Sequence, residues 1–193
     1  MCKFSEENRI RLGNVAHYIA KFCHRPSKTK MLKLLYLMEE HFVLRYQMPF
    51  LGIPFEVWQA GPVAKDVFVD LSDGPVLLSD YVAVEQDGMG QFIVPKGGFD
   101  EDEFSRNELK VMQDVIARFG GMSASELVQY THRPGSLWYN EAKEHGLLDA
   151  FEKKCCNSSD VIIDFTKAMT PCDADFYAEN LEMHRASNHY GTM

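Results

Sequence analysis

The hydrophobic residues in the first part of the chain recur at steps of three and four, the period of a helix with one buried face. This pattern predicts a first helix over about Ser5–Cys23. Pro26 ends it, because the residue before a proline avoids the helical region. A second helix follows, and Ser27 or Thr29 can cap its start. Its apolar positions cover most of the circumference, so we expect it to be buried; they are Met31, Leu32, Leu34, Leu35, Tyr36, Met38, Phe42 and Val43.

The pattern then changes to the alternation that is typical of a strand, over Ile53–Trp58. A Gly-Pro pair comes three residues later. Gly61 reaches positive φ without a Cβ clash, and Pro62 has a φ near the helical value and lacks the N–H that a first helical turn leaves unused. We therefore expect this pair to turn the strand directly into a helix over about Pro62–Leu71.

The second half of the chain is marked by turn and capping signals. Two β-prone runs, Tyr81–Val84 and Gln91–Val94, flank a Gly-containing turn and predict a hairpin. The spacing S-x-x-E, which forms a capping box, begins at Ser105 and again at Ser123. These boxes predict a helix as far as Phe119 and a shorter one after it. Ser136 follows a Pro-Gly break and predicts a further helix.

The C-terminal part is less regular. Val161–Phe165 predicts a short strand, and Thr170 can cap a final helix, whereas the residues His184–Met193 read as frayed. Together the elements predict a predominantly α-helical α+β single domain with a small antiparallel β element. We place the main domain at residues 1–150 and expect residues 151–193 to be an extension packed on it.

Composition narrows the class of protein. The chain has 193 residues, of which 46% are hydrophobic, enough for a real core. Its net charge of −8 argues against broad nucleic-acid binding, which needs a positive surface. Arg45 and Glu56 interrupt the richest apolar stretch, so no membrane span is expected. The N-terminus lacks an apolar signal core, which favours a cytoplasmic location.

The cysteines also favour a cytoplasmic location. There are five cysteines, an odd number, with no CxxC pair, which is typical of reduced thiols in a cytoplasm. Cys155 and Cys156 could in principle bind a metal with His145 or Cys172, but the spacing matches no standard zinc pattern. The sequence also contains no phosphate-binding loop. We therefore expect no metal and no cofactor.

Three stretches in this order carry a family resemblance: KMLKLLY at Lys30–Tyr36, FEVWQAGPVAKDV at Phe55–Val67 and LVQYTHRPGSLWY at Leu127–Tyr139. Each is weak alone, whereas the three together are fairly specific. Over roughly residues 10–145 the chain resembles the Panacea domain, the SocA-like antitoxin family that also occurs among phage-associated proteins of bacteria.

The resemblance implies an antitoxin that neutralises a separately encoded toxin by direct protein–protein contact, with no catalytic residues. The residues within the motifs that we select as candidates for partner binding are Tyr36, Glu56, Trp58, Gly61, Pro62, His132 and Trp138. Each has a competing structural interpretation. Tyr36 and both tryptophans suit a core, the Gly-Pro pair suits a plain turn, Glu56 suits an ion pair, and His132 suits the capping of a helix end.

Two other functions stay open at this point. The domain could be a regulator or adaptor that presents a bound partner to a cellular protease, or a hydrolase that uses Cys23 as nucleophile and His132 or His24 as base. The hydrolase is disfavoured, because Cys23 lies on the apolar face of the first predicted helix, where burial leaves a thiol inert. Homo-oligomerisation also stays open.

Overall fold

The computed structural model describes residues 5–88 and 90–190, and the side chains among them as far as residue 187. Within this part there are eight α-helices and two antiparallel pairs of strands, so the predicted α+β fold, predominantly helical, is confirmed. The elements are α1 (Glu6–Phe22), α2 (Lys28–Tyr46), β1 (Glu56–Trp58), β2 (Gly61–Val63), α3 (Lys65–Asp70), β3 (Val82–Asp87), β4 (Gly90–Pro95), α4 (Arg106–Phe119), α5 (Ala124–Thr131), α6 (Leu137–Glu144), α7 (Leu147–Glu152) and α8 (Pro171–Tyr190).

Helix α2 is the centre of the fold. It contacts α1, α3, α4, α5 and β2, and every residue from Met31 to Glu40 is buried. Its N-cap is Ser27, whose hydroxyl accepts from the backbone N–H of Lys30, so Thr29 is not the cap. Burial on all sides leaves few positions for charged groups on this helix, and those that it carries need partners in the interior.

Glu39 of α2 fixes the loop that leads to the first hairpin. Its carboxylate is fully buried and accepts three backbone N–H groups, from Phe50 at 3.1 Å, Leu51 at 2.7 Å and Gly52 at 3.2 Å. These donors have no helix or sheet to pair with at that point of the chain. The carboxylate therefore stands in for secondary structure and holds the loop against α2.

The Gly-Pro pair begins a strand and not a helix. Strands β1 and β2 form a hairpin in which Pro62 lies opposite Val57, and α3 begins only at Lys65. The prediction of a helix from Pro62 is therefore wrong for its first three residues. Of the predicted strand Ile53–Trp58, only the last three residues pair with β2. Proline is tolerated in β2 because the strand lies at the edge of a two-stranded sheet, where a missing N–H breaks no ladder.

Residues near 160 run along the other side of β1. The backbone N–H of Val57 donates to Val161 O at 2.8 Å, and that of Ile163 donates to Phe55 O at 2.8 Å. The expected strand Val161–Phe165 is thus correct in place but reduced to one β-bridge, between Glu56 and Ile162. Phe165 already begins a 3₁₀ turn, Phe165–Ala168.

Helix α8 is longer than the sequence suggests. It continues to Tyr190, so the expectation of fraying from His184 is wrong as far as residue 190, while residues 191–193 lie outside the described part. His184 packs on the loop held by Glu39, with its Nε2 3.3 Å from Leu51 O. The placing of a domain boundary at residue 150 stays a prediction.

The remaining predicted elements are found close to their expected places. The second hairpin pairs β3 with β4, and Met89 of its turn lies outside the described residues. Both capping boxes form: the Ser105 and Ser123 side chains accept from the backbone, and Glu108 and Glu126 reach back. No helix among residues 5–88 and 90–190 combines the length and apolar character needed to cross a membrane.

Candidate functional site

Side chains from three helical regions converge on the backbone of the first hairpin. Each places a nitrogen within hydrogen-bond distance of a different carbonyl oxygen: Lys33 Nζ at 2.8 Å from Pro62 O, Trp138 Nε1 at 3.0 Å from Trp58 O, and His132 Nε2 at 3.0 Å from Gln59 O. We call these three side chains, together with Trp58–Pro62, the hairpin junction. Because the nitrogens come from α2, α6 and the C-terminal end of α5, the junction ties three helices to one turn.

Gly61 lies at the closest approach in the hairpin junction. Its φ is +95°, a conformation that side-chain-bearing residues rarely adopt. A Cβ at this position would lie 2.7 Å from Lys33 Cε and 2.9 Å from Thr131 Oγ1. Glycine is therefore required at this position for two reasons: the backbone conformation disfavours a side chain, and the lysine fills the space that a side chain would occupy.

Aromatic packing completes the hairpin junction. The rings of His132 and Trp138 lie 3.7 Å apart between centroids, and Trp138 stacks on Phe151 at 6.3 Å. Trp58 itself packs edge-on against Phe68 of α3, with 4.9 Å between ring centroids. The bond from Trp58 Nε1 to Glu56 Oε2, 2.8 Å long, fixes the indole further. Neither tryptophan is free to turn without breaking a hydrogen bond.

His132 serves as a cap. Its Nδ1 lies 2.5 Å from Val128 O, one helical turn earlier, while Nε2 faces Gln59 O. Burial lowers the pKa of His132, so the neutral imidazole is favoured near pH 7. A neutral ring has one N–H and donates to one of these two carbonyls at a time. Both nitrogens thus face backbone carbonyls, and one of them is hydrogen-bonded at a time.

Six of the seven candidate residues meet in or beside this junction, and Tyr36 does not. Glu56, Gly61, Pro62 and Trp138 are buried, whereas Trp58 and His132 are half-buried. Tyr36 lies deeper in the core, where its hydroxyl donates to Glu40 Oε1 at 2.7 Å. The junction has the character of a scaffold, and contact of these residues with a partner stays a prediction.

Lys33 is the residue of the junction that the motif analysis did not select. It is 1% exposed, and burial lowers its pKa to about 7. The sequence contained one indication of this role. Lys33 lies between Leu32 and Leu34 on a helix that is apolar on all sides, so its ammonium group does not reach solvent. Such a position requires an internal acceptor, and Pro62 O supplies it.

The comparisons with known proteins bear on the same residues. The family model described as "Antitoxin SocA-like, Panacea domain" matches residues 31–139, more than half of the 193-residue chain. The chain belongs to this family. No curated protein and no solved structure matches it. The matched span is narrower than the residues 10–145 that the motifs suggested. It includes Lys33, both strands of the first hairpin and Trp138, so the whole hairpin junction lies within the Panacea domain.

The structure does not join Cys23 and His132 as the hydrolase pair that the sequence left open. Cys23 is buried at the C-terminal cap of α1, and burial raises the pKa of its thiol. Its sulfur would lie 3.3 Å from a Cβ built on Gly120, so it packs against the end of α4. No hydrogen bond joins Cys23 to His132, whose ring nitrogens face carbonyls. The geometry gives the hydrolase alternative no support.

Replacement of Lys33 by methionine is expected to flatten the pH dependence of the Panacea domain's stability. The pKa of Lys33 is about 7 in the folded protein against an ordinary value of 10.5. Between these values the unfolded chain binds more protons than the folded chain. The free energy of unfolding of the wild type therefore rises with pH, by up to about 1.4 kcal/mol per pH unit. Below pH 7 both states are protonated and this slope disappears.

Urea unfolding of both proteins from about pH 6 to about pH 10 measures this effect. Methionine binds no proton, so the variant is expected to lose the slope that Lys33 contributes. Lys143→Met, at an exposed position on α6, is the control and should keep the wild-type slope. Equal slopes in all three proteins would show that Lys33 stays charged on folding.

Proposed function

We propose that this protein is an antitoxin that neutralises a separately encoded toxin protein by direct binding, without chemical turnover. The observation that carries the proposal is membership of the SocA-like antitoxin family, through the match over residues 31–139. The hairpin junction agrees with it, because the motif residues are engaged with one another and with the backbone. Such an arrangement suits a fixed scaffold that presents a surface.

Inhibition by binding needs a surface whose side chains are ordered beforehand, since ordering them on contact costs affinity. Trp58 meets this requirement. Its indole is half-buried, rests on Phe68 and is held by Glu56, so its exposed part is already fixed. Tryptophans in this setting are frequent anchors in protein interfaces. We therefore propose Trp58, with the half-buried His132 beside the same hairpin, as part of the contact surface.

The location follows from the same proposal. A toxin that acts inside a cell has to be met there, so we propose that the protein works in the bacterial cytoplasm, where its cysteines stay reduced. Cys23, Cys155, Cys156 and Cys172 are all free thiols in the structure, and Cys2 lies outside the described residues.

Rescue of growth is the direct test. The genes that flank this one are expressed singly in a bacterial host and then together with this protein. We expect one flanking product to arrest growth, and this protein to restore growth and co-purify with it. The toxin's cellular level is followed in the same cultures, because blockade leaves it unchanged whereas delivery to a protease lowers it. If no neighbour is toxic and none co-purifies, the proposal is wrong.

Two variants locate the contact. Trp58→Ala is expected to weaken toxin binding by roughly tenfold or more, as is typical of an interface tryptophan. The control is Phe176→Ala, which removes an aromatic ring that is 52% exposed on α8, and it should bind as the wild type does. Thermal unfolding of both variants without the toxin separates lost contact from lost fold. Equal binding by all three proteins would remove Trp58 from the contact surface.

A further inference from the structure

A cleft of about 400 Å³ lies on the face formed by the C-terminal half of α2, the end of α4 and the turn between α5 and α6. Three guanidinium groups line it, those of Arg45, Arg118 and Arg133, and Tyr130 stands among them. We call these four residues the arginine cleft. The cleft is unusual for this molecule, because the chain as a whole carries a net charge of −8.

The arginine cleft has few ion-pair partners of its own. Among the described residues, neither Arg118 nor Arg133 lies within ion-pair distance of a carboxylate. Arg45 has one, since its Nη1 lies 3.7 Å from Asp114, but that carboxylate is also paired with Lys110 at 2.7 Å. Two of the three guanidinium groups therefore have no ion-pair partner among the described residues, although Arg133 interacts at longer range with the buried Glu40, and the third shares its partner.

Tyr130 orders the arginines before any ligand arrives. The guanidinium carbon of Arg133 lies 3.9 Å from the centroid of its ring, and that of Arg118 lies 5.9 Å from it. Arg133 also donates from Nη1 to Tyr130 O at 2.6 Å. Stacking of this kind holds the planar fork of an arginine in place and leaves N–H groups free for bidentate contacts with an oxyanion.

The floor of the arginine cleft adds little charge of its own. His41 lines it, and burial, followed by the charges of Arg118 and Arg133, lowers the pKa of this histidine, so the neutral imidazole is favoured and the positive charge of the cleft comes from the arginines. The carboxyl group of Glu40 also borders the cleft, but Glu40 is 6% exposed, accepts the hydroxyl of Tyr36, and has its pKa raised by burial. The acidic group at the floor is thus turned inward, toward the core.

We propose that the arginine cleft binds carboxylate side chains of an acidic segment of the partner protein. The inference rests on the proposed function only for its assumption that the partner is a protein. Carboxylates fit the planar arginine forks, which bind them through two parallel hydrogen bonds. A nucleic acid would present an extended row of phosphates to a molecule that is otherwise negative, so long-range repulsion opposes it.

A synthetic peptide tests the cleft without the toxin. The full chain is titrated with dye-labelled hexaglutamate, blocked at both ends, and binding is followed by fluorescence anisotropy at low and at high salt. We expect binding at low salt that salt weakens, and a loss of roughly tenfold for Arg118→Gln, since one charge-assisted contact is removed. Arg118 forms no hydrogen bond within the described chain, so this variant should fold normally.

The matched control is Arg106→Gln. Arg106 lies at the other end of α4, is exposed, and forms no ion pair among the described residues. This variant should bind the peptide as the wild type does. Unchanged binding by Arg118→Gln and Arg133→Gln would overturn the proposal, as would equal losses for all three variants. Competition by inorganic phosphate, or by a single-stranded oligonucleotide, at the concentrations where acidic peptide competes would overturn the preference for carboxylates.

Toxin binding then separates the two proposals. If the flanking toxin co-purifies with the wild type but equally well with Arg118→Gln, the antitoxin function stands and the cleft is not its contact. If no toxin is found while hexaglutamate binds through Arg118, the anion site stands and the proposed function fails. Loss of both the toxin and the peptide on the single substitution is the result that we expect.

Discussion

Replacement of Gly61 by alanine is expected to lower the free energy of unfolding by roughly 3 kcal/mol. Two costs combine at this position. A residue with a Cβ is strained at φ +95°, by about 1–2 kcal/mol. The added methyl would also lie 2.7 Å from Lys33 Cε, so the buried lysine has to leave its bond with Pro62 O or the hairpin has to move. Urea unfolding followed by circular dichroism measures the loss.

Gly74→Ala isolates the first of these costs. Gly74 has almost the same φ, +91°, but a Cβ there would meet no atom within 4 Å. We expect this control to lose only the cost of the strained backbone, about 1–2 kcal/mol. The difference between the two variants then reports the crowding at the hairpin junction. If Gly61→Ala and Gly74→Ala destabilise equally, Lys33 does not pack against Gly61 as described.

Replacement of Glu39 by alanine is expected to destabilise the protein by roughly 4 kcal/mol, because each buried donor that is left without an acceptor costs about 1–3 kcal/mol. Three backbone N–H groups, those of Phe50, Leu51 and Gly52, lose their shared acceptor at once. The measurement has a local part. Hydrogen exchange at these three amides should accelerate more than exchange at amides within α2.

Two further variants serve as comparisons for Glu39→Ala. Glutamine keeps the volume and one acceptor oxygen, but it turns an N–H₂ group toward other donors, so Glu39→Gln should fall between the wild type and alanine. Glu182→Ala, at an exposed position on α8, should stay within about 0.5 kcal/mol of the wild type. A loss for Glu39→Ala as small as that for Glu182→Ala would mean that the loop does not depend on this carboxylate.

The helix starts were the most predictable part of the fold, because their signals are local. A serine before the apolar pattern, with a glutamate three residues later, forms its whole hydrogen-bond set within one turn, as at Ser105 and Ser123. The sequence contains all of this information in four adjacent positions. For the same reason Ser136 was correctly placed at the start of α6.

The Gly-Pro pair shows where local reasoning fails. Gly61 and Pro62 have backbone preferences that suit a helix start as well as an edge strand, and the choice is made by pairing with β1 and by the bond from Lys33. Lys33 is 29 positions away from Pro62 along the chain. A sequence pattern shows that a buried lysine needs an acceptor, but it does not show which carbonyl will be near it.

The candidate site, like the fold, was predicted only in part. The motifs contained Trp58, His132 and Trp138, which the fold brings to one hairpin, although their mutual contacts could not be read from spacing. The arginine cleft was not predicted at all. Arg45, Arg118 and Arg133 come from α2, α4 and the α5–α6 turn, and each alone reads as an ordinary charge on a solvated helix face.

The hairpin junction also limits which substitutions the domain tolerates. Its three acceptors, on Trp58, Gln59 and Pro62, are all main-chain oxygens, which every amino acid carries. These hydrogen bonds therefore require particular side chains only at the donor positions. They do not specify the side chains of the turn. Gln59 and Ala60 are exposed at the tip of the hairpin. Gln59 still donates from its own Nε2 to Phe151 O at 3.0 Å, so Ala60 is the position of the two at which a new side chain would leave every one of these hydrogen bonds in place.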